Sequence, residues 1–415
     1  MAIEQLNIVG KRSGEGFVAH KAMLVIALMR AIADRVTLMG VTLGRKGFLG
    51  YLKALGGSNI VKVIPSNGSA SGSQATDKRL KVICGANTSH LADSHWIGDK
   101  TPFTLCEVRV SPSNSVMPNV GAIELAEALA RVLPFTATDD ARPVLNCVNF
   151  AVADGKLTLV GADGFRLAVI SLDYADGEGQ ALIKRDELIG IANALRKAKR
   201  VRVSFEAGGE TIGGYSLIID TELIRYKWQG FNGDYPDWLK LIPTEFNIFA
   251  HFDTVEAIKA VNSLKAIADS KAYPIDLAIG DGKLVMANPD NIGQAELVAD
   301  TIGEGTIRLD GQYLAEALKA CGGMVELKLT NAYSPMLFSA DGYQMVVMPM
   351  ITSEATEAQK REYDAKEAEV LAEEAKADNE AKAKQAEPVA EPVAVAVAPV
   401  AEPKQAKRNR AKVKA

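Results

Sequence analysis

Apolar and polar positions alternate most clearly between Thr136 and Val169. Val144, Cys147, Asn149, Ala151 and Ala153 mark a first strand, and Lys156 to Val160 alternate as a half-buried second one. Asp154-Gly155 between them is a two-residue hairpin signal, because both central positions of a type I′ turn need positive φ. A second turn, Ala162-Asp163-Gly164, leads into Phe165-Arg166-Leu167-Ala168-Val169.

Elsewhere the pattern switches to helical spacing and repeats. A short strand, an amphipathic helix of about three turns and another strand are predicted at 41–65, 181–205 and 306–330. Leu188, Ile191 and Leu195 show the helical period in the second copy. Gly56-Gly57 and Gly322-Gly323 read as helix C-caps in the first and third. A companion unit, helix then strand, Asp-Gly-Lys-Leu and strand, occurs at 120–172 and 252–300, with helices over 123–133 and 254–268. The units alternate, so a sixth belongs before Val41. The 40 residues there are too few for a whole unit and show no hairpin signal. They offer a short strand, Ile3–Val9, and an apolar helix, Val18–Val36. Each pair of units predicts one α+β domain, a helix pair on one side of antiparallel strands. The expected limits are 1–104, with its N-terminal half incomplete or divergent, 105–244 and 245–352. Ser66–Gln74 reads as an inserted Gly/Ser loop.

Composition changes this picture at one place. Residues 353–415 hold 13 acidic and 12 basic residues, much Ala and a Pro/Ala/Val stretch. The expectation is a disordered or transiently helical tail with a basic end, Lys404–Lys414. The body keeps a net charge of −3 against −4 for all 415 residues, which neither requires nor excludes nucleic acid. The longest apolar run, Ala22–Met29, is too short to span a membrane. Met1–Arg12 has no signal-peptide pattern, so a cytoplasmic location is expected. The four cysteines are far apart and suit a reducing compartment.

Three constellations offer residue types used in chemistry. Cys84, His90, His95 and Cys106 lack the close Cys pair of a zinc finger, and both cysteines fall in predicted strands. Ser66–Gln74 has no Gly-Lys-Ser/Thr entering a helix, so it is not a phosphate loop. Asp139, Asp140 and Asp163 fit a polar loop and a turn better than a metal-dependent nucleic-acid hydrolase. No nucleophile–base pair stands out, and neither an enzyme nor a cofactor or metal is expected.

Thr136–Val169 resembles the middle domain of the bacterial sliding clamp, the beta subunit of DNA polymerase III. So do Gly233-Asp234-Tyr235-Pro236-Asp237-Trp238 and Leu241-Ile242-Pro243, while Met345–Met350 resembles that family's C-terminal strand. The likeness covers 41–350. It implies repeated clamp domains, antiparallel sheets outside and helices lining a ring pore. It implies a nucleoid-associated homodimer, closed head to tail around double-stranded DNA without sequence preference, that confers processivity on a replicative polymerase and leaves ATP use to the clamp loader.

The resemblance also implies two sets of residues. Polymerase and loader peptides would dock in a groove of Leu145, Gly164, Phe165, Arg166, Leu167, Pro243, Val346, Val347, Met348, Pro349 and Met350. Phosphates would meet basic residues on the repeat helices: Arg45, Lys46, Lys53, Arg131, Lys184, Arg185, Arg196, Lys197, Lys199, Arg200, Lys259, Lys265 and Lys319. Two departures stand out. Ala162 replaces a usual Thr, and the chain runs on past Met350 where the family ends. The tail then gates the groove or adds a tethered contact, its basic end Lys404–Lys414 touching DNA, or it only solubilises. An incomplete first domain leaves a second reading open, a clamp-like interaction protein that binds partner peptides without closing a ring.

Overall fold

The computed structural model describes residues 16–56, 58–68, 77–101, 106–111, 113, 115–207, 215–268, 273–290, 292–353, 355–357, 359–361 and 363. Two compact units divide at Ala355. The second unit, from Thr356, is helical where described. Most of the expected tail therefore lies outside the described residues, as does Ile3–Val9.

Within the first unit the repeats fold as helix pairs on antiparallel sheets. The helices are α1 (Lys21–Arg30), α2 (Arg45–Ala54), α3 (Ala122–Val132), α4 (Arg185–Leu188), α5 (Ile191–Leu195), α6 (Thr254–Ile267) and α7 (Gly311–Cys321). They pack as α1 with α2, α3 with α5 and α6 with α7. Each buries an apolar stripe, such as Leu125, Ala126, Leu129 and Val132 of α3. Asp253 and Asp310 start α6 and α7 by accepting hydrogen bonds from Val255 N at 2.6 Å and Gln312 N at 2.8 Å.

The last repeat shows the complete plan. Ile248–Asp253 precedes α6, and Pro274–Gly280, Lys283–Ala287 and Gln294–Val298 follow it. Gly305–Asp310 precedes α7, and Met324–Leu329, Met336–Ala340 and Tyr343–Val347 follow it. The two halves exchange their leading strands: Ile248–Asp253 pairs with Met324–Leu329, and Gly305–Asp310 pairs with Pro274–Gly280. Neither half can then fold its sheet without the other.

The N-terminal expectation needs correcting. Val18–Val36 is not one helix but strand Phe17–His20, α1 and strand Arg35–Leu38. Pairing of Phe17 with Val63 and His20 with Ile60 draws the first stretch out, and Arg35–Leu38 turns back onto Val41–Gly44. The turn between them is Met39-Gly40, at φ 49° and 82°. It matches Asp154-Gly155 (51°, 71°) and Asp281-Gly282 (51°, 73°), so a hairpin does exist before Val41. The first half-unit thus has its leading strand, helix and one following strand. Two strands of the full plan are absent from the described residues. Cys106–Val110 fills the gap, parallel to Arg35–Leu38 through Thr37 and Arg109. Parallel pairing follows directly, because taking one strand out of an antiparallel series leaves like-directed neighbours.

Three smaller expectations also change. The helix of 181–205 is broken by Gly190, whose φ of 89° takes it out of the right-handed helical region. The first repeat helix ends on an extended Leu55 rather than a left-handed glycine, while Gly322 and Gly323 at the third do have φ of 64° and 66°. Ser66 and its neighbours to Gly68 belong to strand Ile60–Gly68, paired with Asp77–Cys84, and the rest of the expected loop, 69–74, lies outside the described residues.

Cys84 and Cys106 lie in strands, and all four cysteines are buried. Burial pushes the Cys147 thiol up to about 11, with Lys184 opposing, and the Cys321 thiol up to about 12, with Arg131 opposing. Both stay protonated at neutral pH and below. Iodoacetamide at pH 8 is therefore expected to leave them unmodified in folded protein and to alkylate both in urea. Rapid labelling of native protein would contradict this. The same shift makes stability complete below the ordinary thiol value near 9, and diminishing as pH rises from there towards 11.

Candidate partner-peptide groove and basic helix face

Two long sheets carry the junctions between repeats. Arg166–Asp173 pairs antiparallel with Tyr343–Val347, setting Arg166 opposite Val347 and Leu167 opposite Val346. The result is a nine-stranded sheet shared by the middle and last repeats. Ile224–Trp228 pairs in the same sense with Cys106–Val110, giving a six-stranded sheet shared by the first and middle repeats. Matching contacts support both. The Tyr226 hydroxyl donates to Arg30 O at 3.1 Å, and the Arg131 guanidinium lies 4.0 Å above the Tyr343 ring.

Strand alternation sends neighbouring residues at the second junction to opposite faces. Leu167 and Val346 face away from the helices. They join Ala137, Leu145, Val160, Ala162, Val169 and Leu337 in an apolar cluster separate from the main core. Tyr235, Trp238, Ile242 and Phe246 pack against it from the side. The one-turn helix Trp238–Leu241 has no buried residue of its own, so Trp238 can rim the cluster while staying partly open.

Arg166 and Val347 point the other way. Val347 lies in the main core. The Arg166 guanidinium is buried between the middle and last repeats: Nε donates to Asp163 Oδ2 at 2.9 Å, Nη1 to Glu316 of α7 and Nη2 to Pro134 O at 3.2 Å. It also stacks 4.2 Å over the Tyr313 ring. Burial alone would lower its proton affinity, but Glu316 and Asp163 outweigh that and raise it. Gly164 holds φ 94° in the turn beneath the Arg142 guanidinium. Phe165 is exposed beside Tyr313, its ring 6.4 Å away, and its carbonyl accepts from Met348 N at 2.9 Å. Met350 N donates to Arg308 O at 2.8 Å, leaving both methionine side chains partly exposed and Pro349 buried. Pro243 is half-buried, next to Ile242 of the rim.

Of the expected groove residues, the structure thus gathers Leu145, Leu167 and Val346 on one apolar floor. Phe165 and Met348 sit along its junction edge, and Arg166 and Val347 lie behind it. Leu337, Val160, Val169 and Phe246 were not foreseen. Leu337 lies between Met336 and Phe338 in a strand buried on both faces, so no alternation marks it out. Tyr235 and Trp238 belong to the Gly233–Trp238 motif, whose spacing alone assigns them no role.

Ten of the thirteen basic positions are exposed: Lys46, Lys53, Lys184, Arg196, Lys197, Lys199, Arg200, Lys259, Lys265 and Lys319. They sit on or beside α2, α4, α5, α6 and α7. Arg45, Arg131 and Arg185 are half-buried. Arg45 reaches Asp34 at 3.3 Å, Arg131 reaches Glu127 at 4.0 Å besides Tyr343, and Arg185 reaches Asp186 at 3.3 Å. Among the described residues no group of acidic, His or Cys side chains is arranged to hold a metal ion. Nor is any helix among them long and apolar enough to cross a membrane.

Tandem α+β repeats with exchanged leading strands, joined edge to edge into shared sheets with paired helices, define the DNA-clamp fold. Solved sliding clamps have it: that of Pseudomonas aeruginosa superposes with a TM-score of 0.60 at 18% identity over 81% of this chain and 100% of its own. The clamp of Bacillus subtilis does so with 0.57 at 17% identity over 82% and 100%. Residues 119–237 match the family model of the DNA polymerase III beta subunit, central domain. The beta sliding clamp of Streptomyces coelicolor is 27% identical over 298 residues, 68% of this chain and 73% of its own length. That of Synechococcus elongatus is 27% identical over 249 residues, 56% and 64%. These similarities are all to bacterial sliding clamps of the DNA polymerase III beta type.

Proposed function

We propose that this chain is a DNA sliding clamp, a non-enzymatic cytoplasmic ring of two copies that holds a replicative polymerase and its loader on duplex DNA. The reading divides the body into clamp domains 1–104, 105–244 and 245–352. One observation carries it: the rule by which sheets join within the chain. At the complete junction, the third strand of a first half-unit meets the third strand of a second half-unit in antiparallel register. By that rule two edges are left to pair, Asn87–Ala92 of the first repeat and Gln294–Val298 of the last. Both are terminal strands of four-stranded sheets, and they belong to opposite ends of the body. Two copies meeting head to tail through these edges close a ring. The shortened half-unit is at the other junction, inside the chain, where Cys106–Val110 already completes the sheet. Truncation of the first domain therefore does not remove the closing edge.

The exposed lysines and arginines then act as weak phosphate contacts without base readout, which hold DNA but let it slide. The apolar cluster of Leu145, Leu167, Leu337 and Val346 takes the apolar side chains of partner peptides. Mass in solution and retention on circular against linearised DNA test the ring. A dimer that stays on circles and runs off linear ends is expected. A monomer that leaves both equally fast overturns the ring in favour of a peptide-binding protein that does not encircle DNA.

Trp238→Ala is expected to weaken binding of a polymerase-derived peptide by about tenfold or more, the cost of truncating a large aromatic anchor. Binding of the wild type should also change the fluorescence of that indole. Unchanged affinity places the peptide elsewhere.

A further inference from the structure

The pairing registers of the nine-stranded sheet set two rows of side chains side by side on its helix-free face. One row runs Phe249, Lys328, Leu337, Val346, Leu167 and forms the apolar floor. The next row, two residues along each strand, runs Asp300, His251, Glu326, Ser339, Gln344, Val169. Val169 belongs to the apolar cluster and also lines an open cavity of about 800 Å³ over this second row. The cavity extends to the hairpin at Asp341-Gly342 and to the end of α7 at Gly322-Gly323. Apolar floor and polar trough are therefore continuous, and about 7 Å separates their rows along each strand.

The trough is acidic. Asp341 is exposed and makes no ion pair among the described residues. Asp300 is exposed and lies 4.0 Å from His251, and Glu326 is shared with Lys328 at 2.7 Å. Lys328 is the one lysine or arginine of the two rows.

Resting on the groove reading above, we propose that this trough is a charge-selective extension of the groove. It takes a lysine or arginine that flanks the apolar anchor of a docked peptide. Two observations select that occupant. The trough opens directly off the apolar floor, so one extended peptide reaches both, with the flanking residue two or three positions from the anchor. The carboxylates of Asp341, Asp300 and Glu326 outnumber the cations facing them. An acidic flank meets repulsion there instead, so the trough discriminates between partners that share an apolar anchor.

Three fluorescent peptides with the same Leu-Phe anchor test this: one with neutral flanks, one with two arginines before the anchor and one with two after it. Titrated into full-length protein at low salt, one arginine peptide is expected to bind about 3- to 10-fold more tightly than the neutral one, the range for two exposed ion pairs. The gain should fall with added salt. It should vanish in Glu326→Gln/Asp341→Asn, which leaves the neutral peptide unaffected, and persist in Glu107→Gln, an exposed carboxylate in the six-stranded sheet at the other junction. A neutral peptide that binds, with no arginine gain or a gain surviving the double variant, overturns the trough and leaves the groove standing. Absence of binding by all three overturns both.

Discussion

Arg166→Ala is expected to destabilise the body by about 3 kcal/mol, the lower end of the range for breaking a buried ion pair. Its side chain is 8% exposed and spans two repeats, with Asp163 13% exposed and Glu316 28%. Removing the cation leaves the nearly buried Asp163 carboxylate with only the Phe165 and Arg166 amides as donors among the described residues, and Glu316 with only Gln312. Partial solvation of Glu316 keeps the loss from being larger. The cost falls on the junction, because Asp163 precedes the middle repeat's edge strand while Glu316 belongs to α7 of the last. A lower urea midpoint is expected, together with faster proteolysis between the two repeats. Arg166→Met with Asp163→Asn and Glu316→Gln should regain most of the stability, since no charge is then left unpaired. An Arg166→Ala protein as stable as the wild type would mean that Phe135, Tyr313 and sheet pairing hold the junction without the guanidinium.

Val298→Asp is expected to weaken dimerisation by about tenfold or more and to abolish preferential retention on circular DNA. Val298 is 91% exposed at the end of the edge strand Gln294–Val298, so the substitution removes no packing inside the chain. Ser89→Asp on the opposite edge should act in the same direction, and the pair together more strongly through like-charge repulsion. Thermal stability of the monomer should stay unchanged. If both variants remain dimeric and retained, the ring closes through other surfaces or not at all.

Much of this protein was legible in the chain because it is written locally. Asp154-Gly155 and Asp281-Gly282 announce hairpins through residues that tolerate positive φ. The amphipathic stripe of α3 and the glycine-terminated α7 follow from spacing and capping. Met39-Gly40 adopts the same turn without announcing it, because methionine carries no such signal. The breaks within 18–36 are likewise unannounced, since an apolar stretch suits helix and buried strand alike until a partner strand decides. Leu145, Leu167 and Val346 could be named for the groove, but the side of the sheet each faces could not. Arg166 and Leu167 are adjacent and go to opposite faces, one into a charged knot and one onto the apolar floor.

The sequence by itself determined the alternation of helical and hairpin units, the turns at Asp154-Gly155 and Asp281-Gly282, and the basic and apolar residue types the chain presents. Periodicity and turn chemistry act over a few residues and need no distant partner. Tertiary structure alone decided how the shortened first repeat is repaired, with Cys106–Val110 lying parallel to Arg35–Leu38 across some seventy residues of chain. It alone decided which edges stay open and which residues share the apolar floor. Those choices depend on strand order and register between distant segments, and register sets which face every side chain meets.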